Sequence, residues 1–134
     1  MKTITETSIT EGINFLIKED KAFVPLLDQI EGEISAFNIP DGFIGIIKLI
    51  TEQQLSVASA RAIYSRLQDL VKPMTPKNFL STDTNLLKET GLSWQKVNYC
   101  LGISKACSTN QINFKSLKEK EDLEIIQELI KLKG

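Results

Sequence analysis

The chain's pattern predicts an all-α domain, and three observations carry that expectation. Apolar residues recur at helical spacing: Phe43, Ile46, Ile47 and Ile50, then Leu55, Ala58, Ala62, Ile63, Leu67 and Leu70. Capping residues stand at the head of most such runs, and Gly or Pro often stands at the end. No stretch reads as a strand. With 134 residues and 42% hydrophobic content, the chain can bury a sizeable core as one domain. The expectation is a single helical domain over 1–134, a bundle or barrel of about seven short helices joined by tight capped turns. Residues 1–40 would hold the N-terminal helices and 41–134 the barrel.

Residues 1–7 read as a loose N-terminus. Ser8 or Thr10 can cap a first helix ending near Glu19, with Glu11 placed as in a capping box from Ser8. Its apolar face is Ile9, Ile13, Leu16 and Ile17. A short helix over 22–30 follows, with Pro25 in its first turn and Gly32 ending it. A loop with Phe37, Ile39 and Pro40 leads to Asp41, the expected cap of the Phe43 helix. That helix ends at the polar step Glu52-Gln53-Gln54. Ser56 then caps a helix to Val71, whose Ala58, Ala60 and Ala62 allow close packing and which Pro73 stops. Thr75-Pro76 reads as N-cap and first position of a helix over 76–80. Thr82 or Asp83 caps the next, over 84–90, and Gly91 suits a left-handed stop. Ser93 opens a longer helix to Ser108, with Val97, Leu101, Ser104 and Ala106 facing inward. Residues 110–114 are expected to form a loop and 116–118 one turn. A last helix, over 122–131, would use Leu123, Ile126, Leu129 and Ile130 as its apolar side.

Charge excludes little: 16 basic residues face 17 acidic ones, so bulk charge argues for neither nucleic acid nor membrane. A local patch of a few Lys or Arg remains open, although only Arg61 and Arg66 are arginine. Cys100 and Cys107 sit seven residues apart in a helical stretch, about 10 Å of rise, too far for a disulfide. The chain has no His, so zinc and iron–sulfur sites of the usual ligand types are excluded, and no cofactor is expected. Met1 to Thr10 is polar, and no apolar run approaches the roughly 20 residues a bilayer needs. No membrane partner is expected, and the location expected is the cytoplasm or the nucleoid. There is no linker, low-complexity tract or repeat.

Two constellations could carry function. The first is Gln53-Gln54 with Ser56. Amides donate and accept at once, which suits base edges, and amides buried between helices would need partners. The same residues could instead cap two helix ends in solvent. The second is Gly91-Leu92-Ser93-Trp94-Gln95-Lys96. An N-cap serine opens a helix whose free N–H groups attract phosphate, and Lys96 adds charge. Trp94 in the first turn could stack on or wedge between bases, or could fold over the surface as an apolar cover. The carboxylates Glu119, Glu121, Asp122 and Glu124 read as a solvated helix start.

These residues, in this order, resemble the helix-hairpin-helix DNA glycosylases, most of all the DNA-3-methyladenine glycosylase II branch. The resemblance covers 43–67, with its IxxQQxSxxxAxxI pattern, the TP-x-x-x-L run at 75–80, the GLSxxK turn at 91–96 with its following helix, and 122–134. It implies an all-helical fold that flips a damaged nucleotide out of duplex DNA and hydrolyses its N-glycosidic bond. By the same resemblance Gln53 and Gln54 match a polar position that reads the vacated gap or the opposite base. Trp94 falls where the family places its wedge. Ser56, Ser93, Gln95, Lys96 and Gly134 complete the expected DNA-binding set, with damaged double-stranded DNA as the partner.

The chain departs from the family at its end. Leu132-Lys133-Gly134 opens the L-x-G-x-G hairpin, and the downstream aspartate has no counterpart among these residues. The resemblance therefore implies an N-terminal portion truncated at the hairpin, inactive as this chain alone, with no catalytic residue of its own. Apolar faces at 9–17 and 126–130 would then be partly uncovered and favour a homo-oligomer. The alternatives are a complete, non-catalytic helical module that binds DNA or protein, and an unrelated helical bundle.

Overall fold

The computed structural model describes residues 4–30, 34 and 39–133, and its regular elements are all helices. In chain order they are α1 (Glu6–Glu19), α2 (Phe23–Asp28), α3 (Gly42–Glu52), α4 (Val57–Leu70), α5 (Pro76–Ser81), α6 (Thr84–Glu89), α7 (Trp94–Ser108), α8 (Phe114–Leu117) and α9 (Asp122–Leu129). No strand occurs among the described residues. The chain divides into two compact units, Met1–Asn38 with α1 and α2, and Ile39–Gly134 with α3 to α9.

In the first unit, α1 starts earlier than its sequence suggests. Thr5 is the N-cap: its Oγ1 accepts the Ser8 N–H at 3.2 Å, and Ser8 Oγ accepts the Thr5 N–H at 2.7 Å. Ser8 is thus the far partner of a capping box rather than its start, because a serine hydroxyl can return the bond usually made by Glu or Gln. The second helix is shorter than the expected 22–30, with Pro25 in its first turn. Gly32 and Phe37 lie outside the described residues.

The second unit is built around α7, which packs against α3, α5 and α6, while α3 also meets α4 and α8. Ile47, Leu67, Phe79, Leu87, Leu92, Val97 and Cys100 are almost wholly removed from water. Each large apolar side chain buried this way contributes about 1.5–3 kcal/mol. Phe43 meets Phe79 edge to face, with ring centroids 6.3 Å apart. Most helix starts follow the expected caps. Ser56, Thr75 and Ser93 accept the N–H three residues on, each at 3.2 Å. Asp83, rather than Thr82, caps α6 through the Asn85 and Leu86 N–H groups.

Three details depart from the sequence pattern. Asp41 precedes α3, but its carboxylate caps nothing and instead pairs with Lys118 at 2.6 Å. A short helix, α8, begins within the stretch expected to be loop, because Asn113 Oδ1 takes the Lys115 and Ser116 N–H groups and Leu117 is buried. On α9 and the turn that follows it the apolar residues occupy two sides. Ile125, Leu129 and Leu132 are half-buried, whereas Leu123, Ile126 and Ile130 face solvent.

Two glycines are required by the geometry. Gly91 holds φ +107 at the turn between α6 and α7, where the Arg66 Nε–H donates to Thr90 O at 2.8 Å. Gly45 lies on α3 where a Cβ would sit 1.8 Å from Pro40 O. Gly102, on α7, has nothing within 4 Å of a Cβ position. Gly45→Ala should therefore cost about 3 kcal/mol through overpacking against rigid backbone. Gly102→Ala should add up to about 1 kcal/mol through helix propensity. Urea unfolding of both variants checks this, and equal midpoints would contradict the close approach at Gly45.

Candidate nucleic-acid interface

The α3 helix ends at Glu52 and the chain turns at once through Gln53 and Gln54. The Gln53 N–H closes the last regular bond to Leu49 O at 3.2 Å, with Gln53 at φ −52 and ψ 132. Gln54 then adopts φ +56, the left-handed conformation that usually falls to glycine after a helix. The Leu55 N–H returns to Glu52 O at 3.3 Å, and Ser56 starts α4. A side chain kept at a position that favours glycine costs about 1 kcal/mol, which marks Gln54 as a place to look for function. Both glutamines are exposed, so the partners that buried amides would need are not required here.

Ser93 Oγ caps α7 by accepting the Lys96 N–H, which leaves Trp94 as the first helical residue. Trp94 is 50% exposed, so it is neither a core residue nor a closed cover. Gln95 also faces solvent, and its Nε2 donates to the Tyr99 hydroxyl. Gln95, Asn98, Tyr99 and Gly102 line one side of α7 and, with Lys133, form a shallow open groove.

Lys96 joins the two constellations. Its Nζ donates to Thr51 O at 2.8 Å and to Gln53 O at 2.7 Å, across sequence separations of 45 and 43 residues. The expectation that Lys96 adds charge for a phosphate meets a side chain that already holds two main-chain oxygens. Each such charge-assisted bond is worth roughly 1.5–3 kcal/mol, so turning the ammonium outward carries a cost. Burial pulls the Lys96 ammonium below its ordinary range, the neighbouring Cys100 thiol acts the other way, and burial pushes Cys100 itself up to about 12.

The structure brings Gln53, Gln54 and Ser56 to one turn and Ser93, Trp94, Gln95 and Lys96 to one helix start. Gly134 lies outside the described residues. Sequence pattern alone passed over Leu55 and Val57, which are 40% and 76% exposed on either side of Ser56. The signal was an apolar residue next to the glutamine pair, where it was counted as helix face. Arg61, one turn further along α4, is exposed. Behind the turn, Glu52 lies 3.9 Å from Lys48. Burial raises the pKa of Tyr64, whose buried hydroxyl has no hydrogen-bond partner among the described residues, and the Glu52 carboxylate raises it further. Among the described residues there is no cluster able to hold a metal ion, and no helix long and apolar enough to cross a membrane.

An exposed amide pair at a tight turn, held beside a helix start with an exposed tryptophan, can be compared with known proteins. No protein-family model matches the sequence. An alkylbase DNA glycosidase-like protein of Schizosaccharomyces pombe is 35% identical over 95 residues, 67% of this chain and 45% of that protein. The structure of the DNA-3-methyladenine glycosidase of Bacillus halodurans matches with a TM-score of 0.69 at 26% identity, over 89% of this chain and 55% of that one. The chain is similar in sequence and fold to alkylbase DNA glycosylases. The 3-methyladenine DNA glycosylase of Schizosaccharomyces pombe, solved in complex with abasic DNA, shares the fold: TM-score 0.76 at 19% identity, over 92% of this chain and 63% of that one. The chain spans less than half the length of the curated relative it matches. An all-α fold of this glycosylase family is thus what the molecule has, and an unrelated helical bundle is set aside.

Relief of the Gln54 backbone gives a test of the turn. Gln54→Gly should raise unfolding stability by about 1 kcal/mol, because glycine adopts φ +56 freely. An unchanged or lower urea midpoint would show that the turn stores no strain.

Proposed function

We propose that this chain provides the duplex-opening surface of a base-excision-repair DNA glycosylase of helix-hairpin-helix type, acting on alkylated bases of the 3-methyladenine kind. One observation carries the reading: Lys96 bonds the Gln53 turn to the start of α7, so exposed amides and exposed apolar groups share one edge of the fold. Extruding a nucleotide costs a few kcal/mol of stacking and pairing, and a side chain that fills the vacated space offsets part of it. Trp94 and Leu55 are the exposed apolar groups available for that insertion. Gln53 and Gln54 can donate to and accept from the orphaned base, and Arg61 can meet a backbone phosphate. The complex of the fission-yeast neighbour with abasic DNA supports this choice of partner.

Hydrolysis itself needs a group to activate water or to stabilise the cationic sugar. Glu52, the carboxylate of the turn, already faces Lys48, and the reading assigns no catalytic residue to these 134 residues. The proposed role is to bind and open damaged DNA in the cytoplasm or nucleoid, without excision by this chain alone. The outward side of α9, with Leu123, Ile126 and Ile130, supports self-association through that side. Light scattering tests this, and a monomer at micromolar concentration would remove it.

The decisive experiment compares binding to undamaged and abasic duplexes by fluorescence anisotropy, together with an excision assay on alkylated duplex. Preference for the abasic duplex without release of base is expected. Release of base would place a catalytic group within this chain, and equal binding to both duplexes would favour a general helical module. Trp94→Ala and Leu55→Ala should each weaken abasic binding about tenfold, the low end of a lost stacking contact. Both should unfold within about 0.5 kcal/mol of the parent, since neither side chain is core.

A further inference from the structure

The last carbonyls of a helix lack partners within it, and the negative end of the helix dipole favours a cation there. At the end of α3, Leu49 O receives the Gln53 N–H and Glu52 O the Leu55 N–H. Thr51 O and Gln53 O are taken by the Lys96 ammonium, and Thr51 is itself fully buried. Lys96 thus bonds to Thr51 and to Gln53, the residue just before Gln54, whose φ is positive although it is not glycine. It also sits two positions after Trp94. At about 100° per residue, Lys96 and Trp94 lie roughly 200° apart around α7, one on each flank of its buried side. That bond ties one flank of α7 to α3 at the helix start, two residues after Trp94 and just before the buried Val97.

We propose that Lys96 is a positioning residue, a strap that sets the Gln53–Gln54 turn and Trp94 in fixed relation to one another, and not a contact to DNA phosphate. The proposal rests on the DNA-binding reading above, and it separates two roles that a lysine in a DNA interface can have. A lysine that neutralises a phosphate releases counterions, so its removal lowers the slope of log affinity against log salt by about 0.9. A strap leaves that slope alone and lowers affinity by disordering the groups it holds.

The test uses the full chain, with Lys96→Met, which keeps the apolar stem without donors, and Lys96→Arg, which keeps donors able to reach two carbonyls. Affinity for a duplex with a tetrahydrofuran abasic site is measured between about 50 and 200 mM salt. Amide hydrogen exchange is followed over residues 51–56. Lys96→Met should weaken binding about tenfold at an unchanged salt slope and speed exchange over 51–56, and Lys96→Arg should recover most of both. In a Trp94→Ala background the loss caused by Lys96→Met should shrink to about threefold or less, a coupling that a purely structural lysine would not produce. A slope lower by about 0.9 with exchange unchanged would make Lys96 a phosphate contact and overturn the proposal. Unchanged affinity, or full additivity with Trp94→Ala, would overturn it as well.

If Lys96→Met does not fold, the ammonium protons of Lys96 in the parent decide by NMR. Slow exchange with water supports the strap, and exchange as fast as at exposed lysines overturns it. Failure of the parent to bind either duplex would retire the DNA reading and the interface role of Lys96 together. Parent binding that Lys96→Met leaves intact would retire the strap alone.

Discussion

A single ammonium between two carbonyls ties the end of α3 to the start of α7. Helix ends are costly to bring side by side, because their unpaired main-chain groups must find partners as water is removed. At the end of α3, Lys96 supplies two donors at once, to Thr51 O and Gln53 O, from a different helix. The bond does local work by completing the end of α3. It does long-range work by joining chain segments more than 40 residues apart. The left-handed Gln54 and the tight return to Ser56 follow directly after the bonded Gln53 carbonyl.

The rest of the second unit supplies rigidity behind that edge. Val97 and Cys100 of α7 are buried among Ile47 of α3, Phe79 of α5 and Leu87 of α6. Close-packed interiors deform little, so groups at the ends of these helices are presented at fixed positions. The residues proposed to meet DNA sit at helix termini and in the turn, where backbone geometry rather than core packing decides what is exposed. This division suits base flipping, in which an apolar side chain must stand in water before binding and in the base stack afterwards. Trp94 and Leu55 bear that exposure in the free protein.

Family and activity stand on different footing. In fold and in sequence the chain is similar to alkylbase DNA glycosylases. The chain spans only part of those relatives, and opening a duplex can be separated from cutting a glycosidic bond. The exposed second side of α9 belongs to the same question, since its three outward apolar residues form a surface that association would cover.

The amino-acid sequence by itself determined the helical class and most helix starts, and it singled out the two segments proposed to meet DNA. Its reach follows from the range of the interactions involved. A cap such as Ser56, Thr75 or Ser93 bonds to a backbone group three residues away, so it can be read from neighbouring letters. Where two local solutions competed, as at Thr82 against Asp83, the letters left the choice open and backbone conformation made it. Tertiary structure alone decided the rest. It paired Asp41 with Lys118, 77 residues away, and turned three apolar residues of α9 outward. It also took Lys96 from the set of free charges and gave it to the end of α3. Such partners meet only after the chain has folded, because nothing in a local pattern records which distant carbonyl will lie within 3 Å of an ammonium.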